Sequence, residues 1–298
     1  MAGPLLIADV PWLLYRSFFA LPKSISDERG RPVNALLGTV NALIAAIEER
    51  SPRAVAACFG AEQARYRVEL YRPYHAHRDP MPPELSEQWK RAPELLSAFG
   101  WTVLDAGDLE ADDAMGSLAR AESRAGGSAL LLTADRDLYQ AVCEQVAVLE
   151  LGKGGAFEVG DELVIERYGI APNRVPDFIA LRGDPSDGIP GAPGIGAKTA
   201  AELLSAHDTL EQLLDAAKRQ CVAVDMGTSG PTELRPRLAT ALHENAELLR
   251  TFKQVATLVE IDVERPADRE TDFEAGAEKA REFGMNRLAE RLEKLATA

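Results

Sequence analysis

The chain has 298 residues, 46% hydrophobic and 27% charged, which is the make-up of an ordinary globular protein with room for one large domain or two modest ones. No apolar run reaches the roughly 18 residues of a membrane span, which leaves no membrane partner. Cys58, Cys143 and Cys221 stand far apart with no Cys-x-x-Cys unit, which points away from structural zinc and towards a reducing cytoplasm. The formal charge of −14 argues against a nucleic-acid partner unless the acids are concentrated in one place.

In chain order, "LLIADV" is an apolar run ending at Asp9. It reads as a first strand and not as a signal peptide, since no basic region precedes it. "NALLGTVNALIAAIEER" is helical, and "RAVAACFG" is a second apolar run stopped by Gly60. From Ala61 to Arg91 arginine, tyrosine and proline take over. "ELLSAFGWTVLDAGDLEADDAMGSLARAESRAG" reads as helix, short strand, turn and helix. "SALLLTADRDLYQAV" is a buried strand ending near Thr133, then polar residues and a helix start. Beyond Gly169 the pattern is helical, with a polar loop around residues 225–236. Strands separated by helices predict an α/β fold with a mostly parallel central sheet flanked by helices. We place a boundary near residue 175, between an α/β core (1–175) and a helical region (176–298).

Ligands of such sheets collect beyond the carboxyl ends of the strands. Asp9, then Asp135 and Asp137, follow two strands; Glu110, Asp112 and Asp113 open the helix after a third. Asp184 and Asp187 come from "GDPSDGIPGAPGIGAKTA". Any one of these is explained by a helix cap or a turn, but their recurrence at strand ends is not. Eight carboxylates in one crevice repel each other and need cations. Oxygen-only ligands select magnesium, manganese or calcium, and paired ions serve phosphoryl displacement.

The segment from Gly183 to Ala200 is not a nucleotide-binding P-loop. Counted from Gly191, Lys198 comes one residue late, and no strand precedes it. It reads as a helix–hairpin–helix (183–206), with Gly194 and Gly196 permitting close backbone approach and Lys198 and Thr199 adding donors at a helix start. That device grips a DNA backbone without reading bases. "ARYRVELYRPYHAHR" interleaves Arg65, Arg67, Arg72 and Arg78 with tyrosines and histidines, a pattern suited to phosphates and unpaired bases.

Together "LLIADVPWLLYRSFFALP", "LEADDA", "LLTADRDLYQ" and "ALRGDPSDGIPGAPGIGAKTA" resemble the bacterial 5′ nuclease (flap endonuclease) family over nearly the whole chain. The likeness is to the 5′–3′ exonuclease domain of bacterial DNA polymerase I and to its stand-alone relatives, and the expectation is a free-standing member. The resemblance implies a PIN/5′-nuclease-like fold with a helical arch over about residues 62–95 and a C-terminal helix–hairpin–helix (helix-three-turn-helix). It implies two or three divalent ions on Asp9, Glu110, Asp112, Asp113, Asp135, Asp137, Asp184 and Asp187. It places Tyr74 where a base stacks and Arg78 and Arg16 near the scissile phosphate, and it allows a potassium ion on hairpin carbonyls. The implied substrate is DNA with a 5′ flap or a 5′ end at a single-strand/duplex junction, or an RNA primer, cut by a cytoplasmic, nucleoid-associated monomer.

Three positions depart from the family pattern. Gly60 stands where an aspartate is usual, His75 where a lysine is usual, and Gly188 where an asparagine is usual. The first change removes a ligand, for which water or Glu62 is the candidate substitute, and predicts manganese over magnesium. The second exchanges a fixed charge for one that depends on pH. If both spoil the site, the chain is a branched-DNA binder that cuts poorly; otherwise it is a working nuclease.

Overall fold

The computed structural model describes residues 3–152, 155–226 and 234–297. The polar loop expected around 225–236 lies largely outside them. Among the described residues six strands form one sheet in the order β3-β2-β1-β4-β5-β6. β1 (Leu5–Asp9), β2 (Ala54–Phe59), β3 (Thr102–Asp105), β4 (Ala129–Leu132) and β5 (Val146–Gly152) are parallel, and β6 (Gly155–Val159) closes the edge antiparallel to β5. β1, β2 and β4 are buried along their whole length, as expected of parallel strands covered on both faces.

Alternate residues feed two cores. Leu5 and Ile7 pack with Met115 and Leu118 of α5 (Ala111–Arg124) and with Phe178 and Leu181 of α7 (Val175–Arg182). Leu6 and Ala8 face α1 (Val10–Ala20), α2 (Asn34–Arg50) and α4 (Pro83–Ala98). Between α2 and α4 lie β2 and the short α3 (Arg65–Leu70). α6 (Asp161–Tyr168) precedes α7, and α8 (Ala197–Ala206), α9 (Leu210–Asp225), α10 (Pro236–Glu244) and α11 (Ala246–Ala256) follow it.

The chain then returns to the sheet. Arg53 Nη1 donates to Pro266 O and Asp268 Oδ1, Arg269 N–H to Arg53 O, and Trp101 Nε1–H to Thr271 Oγ1. This stretch carries α12 (Phe273–Glu282) and α13 (Asn286–Ala296) onto the α2/α4 face, where Phe283, Leu288 and Leu292 are buried. Among the described residues no helix is long and apolar enough to cross a membrane.

α2 starts at Val33 without a side-chain cap. Buried Gln88 of α4 does that work instead. Its Oε1 accepts from the amides of Ala35 (2.8 Å) and Leu36 (3.3 Å), and its Nε2 donates to Asn34 Oδ1. Gln88→Leu strands those groups in the core and should cost about 2–4 kcal/mol. Urea denaturation checks this; an unchanged midpoint would show that water or a backbone shift satisfies the helix start.

Candidate metal and nucleic-acid site

Parallel pairing of β1 with β4 sets Ala8 beside Leu132, so Asp9 and Thr133 leave the sheet side by side. Asp9 Oδ1 caps α1 by accepting from Trp12 N–H (2.9 Å), and its Oδ2 accepts from the Thr133 hydroxyl (2.7 Å). That same Thr133 oxygen receives Asp135 N–H, and Asp135 Oδ1 receives Asp137 N–H (2.9 Å). Asp112 projects from the first turn of α5. Asp184 and Asp187 sit in a tight turn closed by reciprocal Asp184–Ile189 backbone bonds (2.7 and 2.8 Å). Gly183 at φ +83° makes the turn possible, since a Cβ there would meet Ile189 O at 2.6 Å.

These six aspartates act on each other. Burial, moderated by the bonds from Trp12 and Thr133, pushes Asp9 up to about 6. Burial and the charges of Asp187, Asp9 and Asp184 push Asp135 up to about 7, against the hydrogen bond from Asp137. Asp112 is raised by burial and by Asp135, Asp9 and Glu110. Asp137 is raised by burial and by Asp135, Asp187 and Asp184. The donor set is all oxygen and short of positive charge, which fits hard divalent cations. Among the described residues, no three acidic, histidine or cysteine groups already converge on a single coordination point. Several carboxylates are instead held by hydrogen bonds, Asp184 by the amide and hydroxyl of Ser186 and Asp187 by two arch residues.

Glu110 and Asp113 are held by Arg67, although the charge of Glu110 still acts on Asp112. Glu110 Oε1 accepts from Ala64 N–H (2.7 Å), its Oε2 from the Tyr74 hydroxyl (2.9 Å), and Arg67 Nη1 lies 3.0 Å from Oε2. Asp113 is fully buried, with Arg67 on both oxygens and Val259 N–H on Oδ1 (2.8 Å). The sequence reading assigned Asp113 to a metal and Arg67 to DNA. In the folded chain these two are partners in the interior, because a buried guanidinium requires buried carboxylates.

The expected arch is α3, a turn-rich segment and α4, and its middle is docked on the crevice. Tyr74, expected to stack a base, is buried against Glu110, with its ring on that of His75 (centroids 3.8 Å). His75 is buried at φ +55°, a costly conformation for a non-glycine residue. It is held by its amide on Asp187 O (3.1 Å) and its Nε2 against Asp187 Oδ1 (3.0 Å). Arg78 is exposed and also reaches Asp187 Oδ1 (3.0 Å). Exposed Arg16 lies over the Trp12 ring, one turn beyond Asp9's capping bond, and exposed Arg65 pairs with Glu69. At the hairpin, Gly194 takes φ +78°, Gly196 opens α8 without a capping side chain, Lys198 is exposed and Thr199 half-buried. The first amides of α8 therefore face outward without intrahelical acceptors. Sequence reasoning did not single out Thr133, Ser186 or the amide of Val259; a polar residue ending a buried strand ("LLLT") was the one available signal.

Gly60 is filled by backbone. A Cβ there would stand 2.4 Å from Leu109 O and 2.7 Å from Ala111 N. The segment carrying Glu110 lies directly on it, bonded by Ala61 N–H to Leu109 O (2.7 Å). Glu62, the proposed substitute, is exposed and accepts the Tyr15 hydroxyl. Gly60→Asp should therefore displace residues 109–111 and cost about 2–3 kcal/mol in urea denaturation; a neutral or stabilising change would refute this packing. The raised acids give a second expectation. Asp9 and Asp135 bind protons more tightly folded than unfolded, so their stabilising effect is full below about pH 4 and lost as pH rises through about 6–7. In chelator, Asp135→Asn should flatten the fall in Tm between those limits. Millimolar manganese should raise the Tm of the unaltered chain at pH 7.5 and not at pH 4.

Comparison with known proteins agrees with this geometry. Residues 4–169 match the model of the 5′-3′ exonuclease N-terminal resolvase-like domain, and residues 170–278 that of the 5′-3′ exonuclease C-terminal SAM fold. A 5′-3′ exonuclease of Mycobacterium tuberculosis is 36% identical over 99% of this chain and 98% of its own. The thermostable DNA polymerase I of Thermus thermophilus is also 36% identical, over 98% of this chain but only 32% of its own, so the chain spans about a third of that relative. In fold it is similar to the T5 D15 protein co-crystallized with metal ions (TM-score 0.69, 16% identity, 98% of this chain and 99% of that one). It is also similar to the catalytic core of Rad2 in complex with DNA substrate (TM-score 0.62, 14% identity, 98% and 92%). With six aspartates at the carboxyl edge of a resolvase-like sheet and both family domains matched in order, the chain belongs to the 5′-3′ exonuclease family.

Proposed function

We propose that the chain is a metal-dependent, structure-specific 5′ nuclease. It hydrolyses DNA phosphodiesters at a 5′ end or flap beside a duplex, in replication and repair. The observation that carries this reading is the gathering of Asp9, Asp112, Asp135, Asp137, Asp184 and Asp187 where β1 and β4 end, in a turn that leads straight into the uncapped start of α8. Divalent cations, when bound, acidify water and offset the charge that builds on the scissile phosphate. The six aspartates are the ligands in this reading.

The remaining residues handle the substrate. The amides of α8 with Lys198 and Thr199 grip the phosphates of the duplex. Arg78, His75 and Arg16 lie at the rim as phosphate partners, the first two exchanging Asp187 for DNA. Tyr74 stacks a base only after leaving Glu110, so the arch must move when the 5′ strand enters. One carboxylate fewer at position 60 leaves a site less able to impose the strict octahedron that magnesium demands, which favours manganese. A potassium ion at the hairpin, RNA-primer removal, a monomeric state and action at the nucleoid belong to the same reading.

The test is cleavage of a 5′-labelled flap. Asp137→Ala and Asp187→Ala should each lower the single-turnover rate by roughly a hundredfold or more while retaining the DNA gel shift. Lys198→Ala should weaken binding and reduce its salt slope by about one, with little effect on cleavage at saturating protein. Unchanged cleavage in both aspartate variants would contradict the assignment.

A further inference from the structure

Among the described residues Arg67 stands out as a buried arginine. Its side chain is 3% exposed and every nitrogen is engaged: Nε donates to Val255 O (3.0 Å), Nη1 to Asp113 Oδ2 (3.0 Å) and Nη2 to Asp113 Oδ1 (2.7 Å). Nη1 also stands 3.0 Å from Glu110 Oε2. The cluster joins three distant parts of the sequence: the start of the arch, the first turn of α5, and the end of α11 with the segment after it. Asp113 knits it together, its Oδ1 accepting Val259 N–H (2.8 Å) and its Oδ2 accepting Glu110 N–H (3.2 Å). No oxygen of Asp113 is left over for a cation in the crevice, and none of its surface is open.

Arg67 also reaches the six aspartates through space. Its charge opposes the repulsion felt by Asp112 and by Asp137. A fixed positive charge behind the crevice spreads the acids' repulsion, and a fixed fork holds the helix start from which Asp112 projects.

We propose that Arg67 is a positioning residue for the metal carboxylates, anchored by Asp113, and that Asp113 serves as this anchor and not as a ligand. The inference rests on the metal-binding reading of the crevice. Lysine at position 67 keeps the charge but cannot serve Glu110, both oxygens of Asp113 and Val255 O together, so Arg67→Lys separates geometry from charge.

The experiment is calorimetric titration of chelator-stripped protein with manganese chloride at pH 7.5, with folding checked by circular dichroism. Arg67→Lys should weaken manganese binding by about tenfold, the low end of the losses seen when support behind metal ligands is removed, since Arg67 acts through the helix start that carries Asp112. Because Arg67 and Asp113 act as one unit, Arg67→Lys with Asp113→Asn should bind within about threefold of the weaker single variant. Adding Asp112→Asn to Arg67→Lys should weaken binding by a further tenfold or remove a site. An unchanged Kd in Arg67→Lys overturns the inference and leaves the nuclease reading standing. Additive losses from Arg67→Lys and Asp113→Asn, or loss of a metal equivalent in Asp113→Asn alone, make Asp113 a ligand and also overturn it. If Arg67→Lys does not fold, Asp113→Asn decides alone: full stoichiometry supports the anchor, a missing equivalent refutes it. Absence of manganese binding in the unaltered chain overturns both readings.

Discussion

Repulsion among six aspartates is the constraint on which the rest of this structure depends. Asp9 and Asp135 are brought together by strand pairing, Asp112 by the start of α5, and Asp184 and Asp187 by a turn after α7. Unshielded, such a cluster would open. The chain restrains it with hydrogen bonds from Thr133, Ser186, Trp12 N–H and Asp137 N–H, and with cations on its flanks: Arg67 within, Arg78 at the rim. Burial raises Asp9, and burial together with the charges of Asp187, Asp9 and Asp184 raises Asp135, so both hold their protons towards neutral pH. A divalent cation would offset both the desolvation and the mutual repulsion of these acids in their ionised form.

The same constraint explains the docked arch. Tyr74, His75 and Arg78 all end on carboxylates, two of them on Asp187. His75 accepts a left-handed backbone to do so, and its Nδ1 is buried without a partner. Strain and an unsatisfied atom in one residue are tolerable where the surrounding contacts over-determine the conformation. The docked arch is tied to Glu110 and Asp187, and the entry of a 5′ strand proposed above requires those contacts to be exchanged.

Much of this was legible in the sequence. Apolar runs closed by or leading into aspartates marked β1 and β4, and the rule that ligands gather at the carboxyl edge of a parallel sheet brings the distant acids together. β5 and the edge strand β6 were not recognised, because the partly exposed runs "VAVLELG" and "GAFEV" lack a clean period of two. The roles of Arg67 and Asp113 were not legible either. A buried ion pair between residues 46 apart leaves no local signature, and an arginine in a basic stretch looks the same whether it meets a phosphate or a carboxylate. Gly60 was read as an empty ligand position, whereas the fold fills it with the backbone of residues 109–111.

The most direct measurement of the central claim is anomalous diffraction from crystals grown with manganese at pH 7.5. The account predicts peaks among Asp9, Asp112, Asp135, Asp137, Asp184 and Asp187, with Asp113 still on Arg67. Ordered manganese elsewhere and none within that crevice would contradict it.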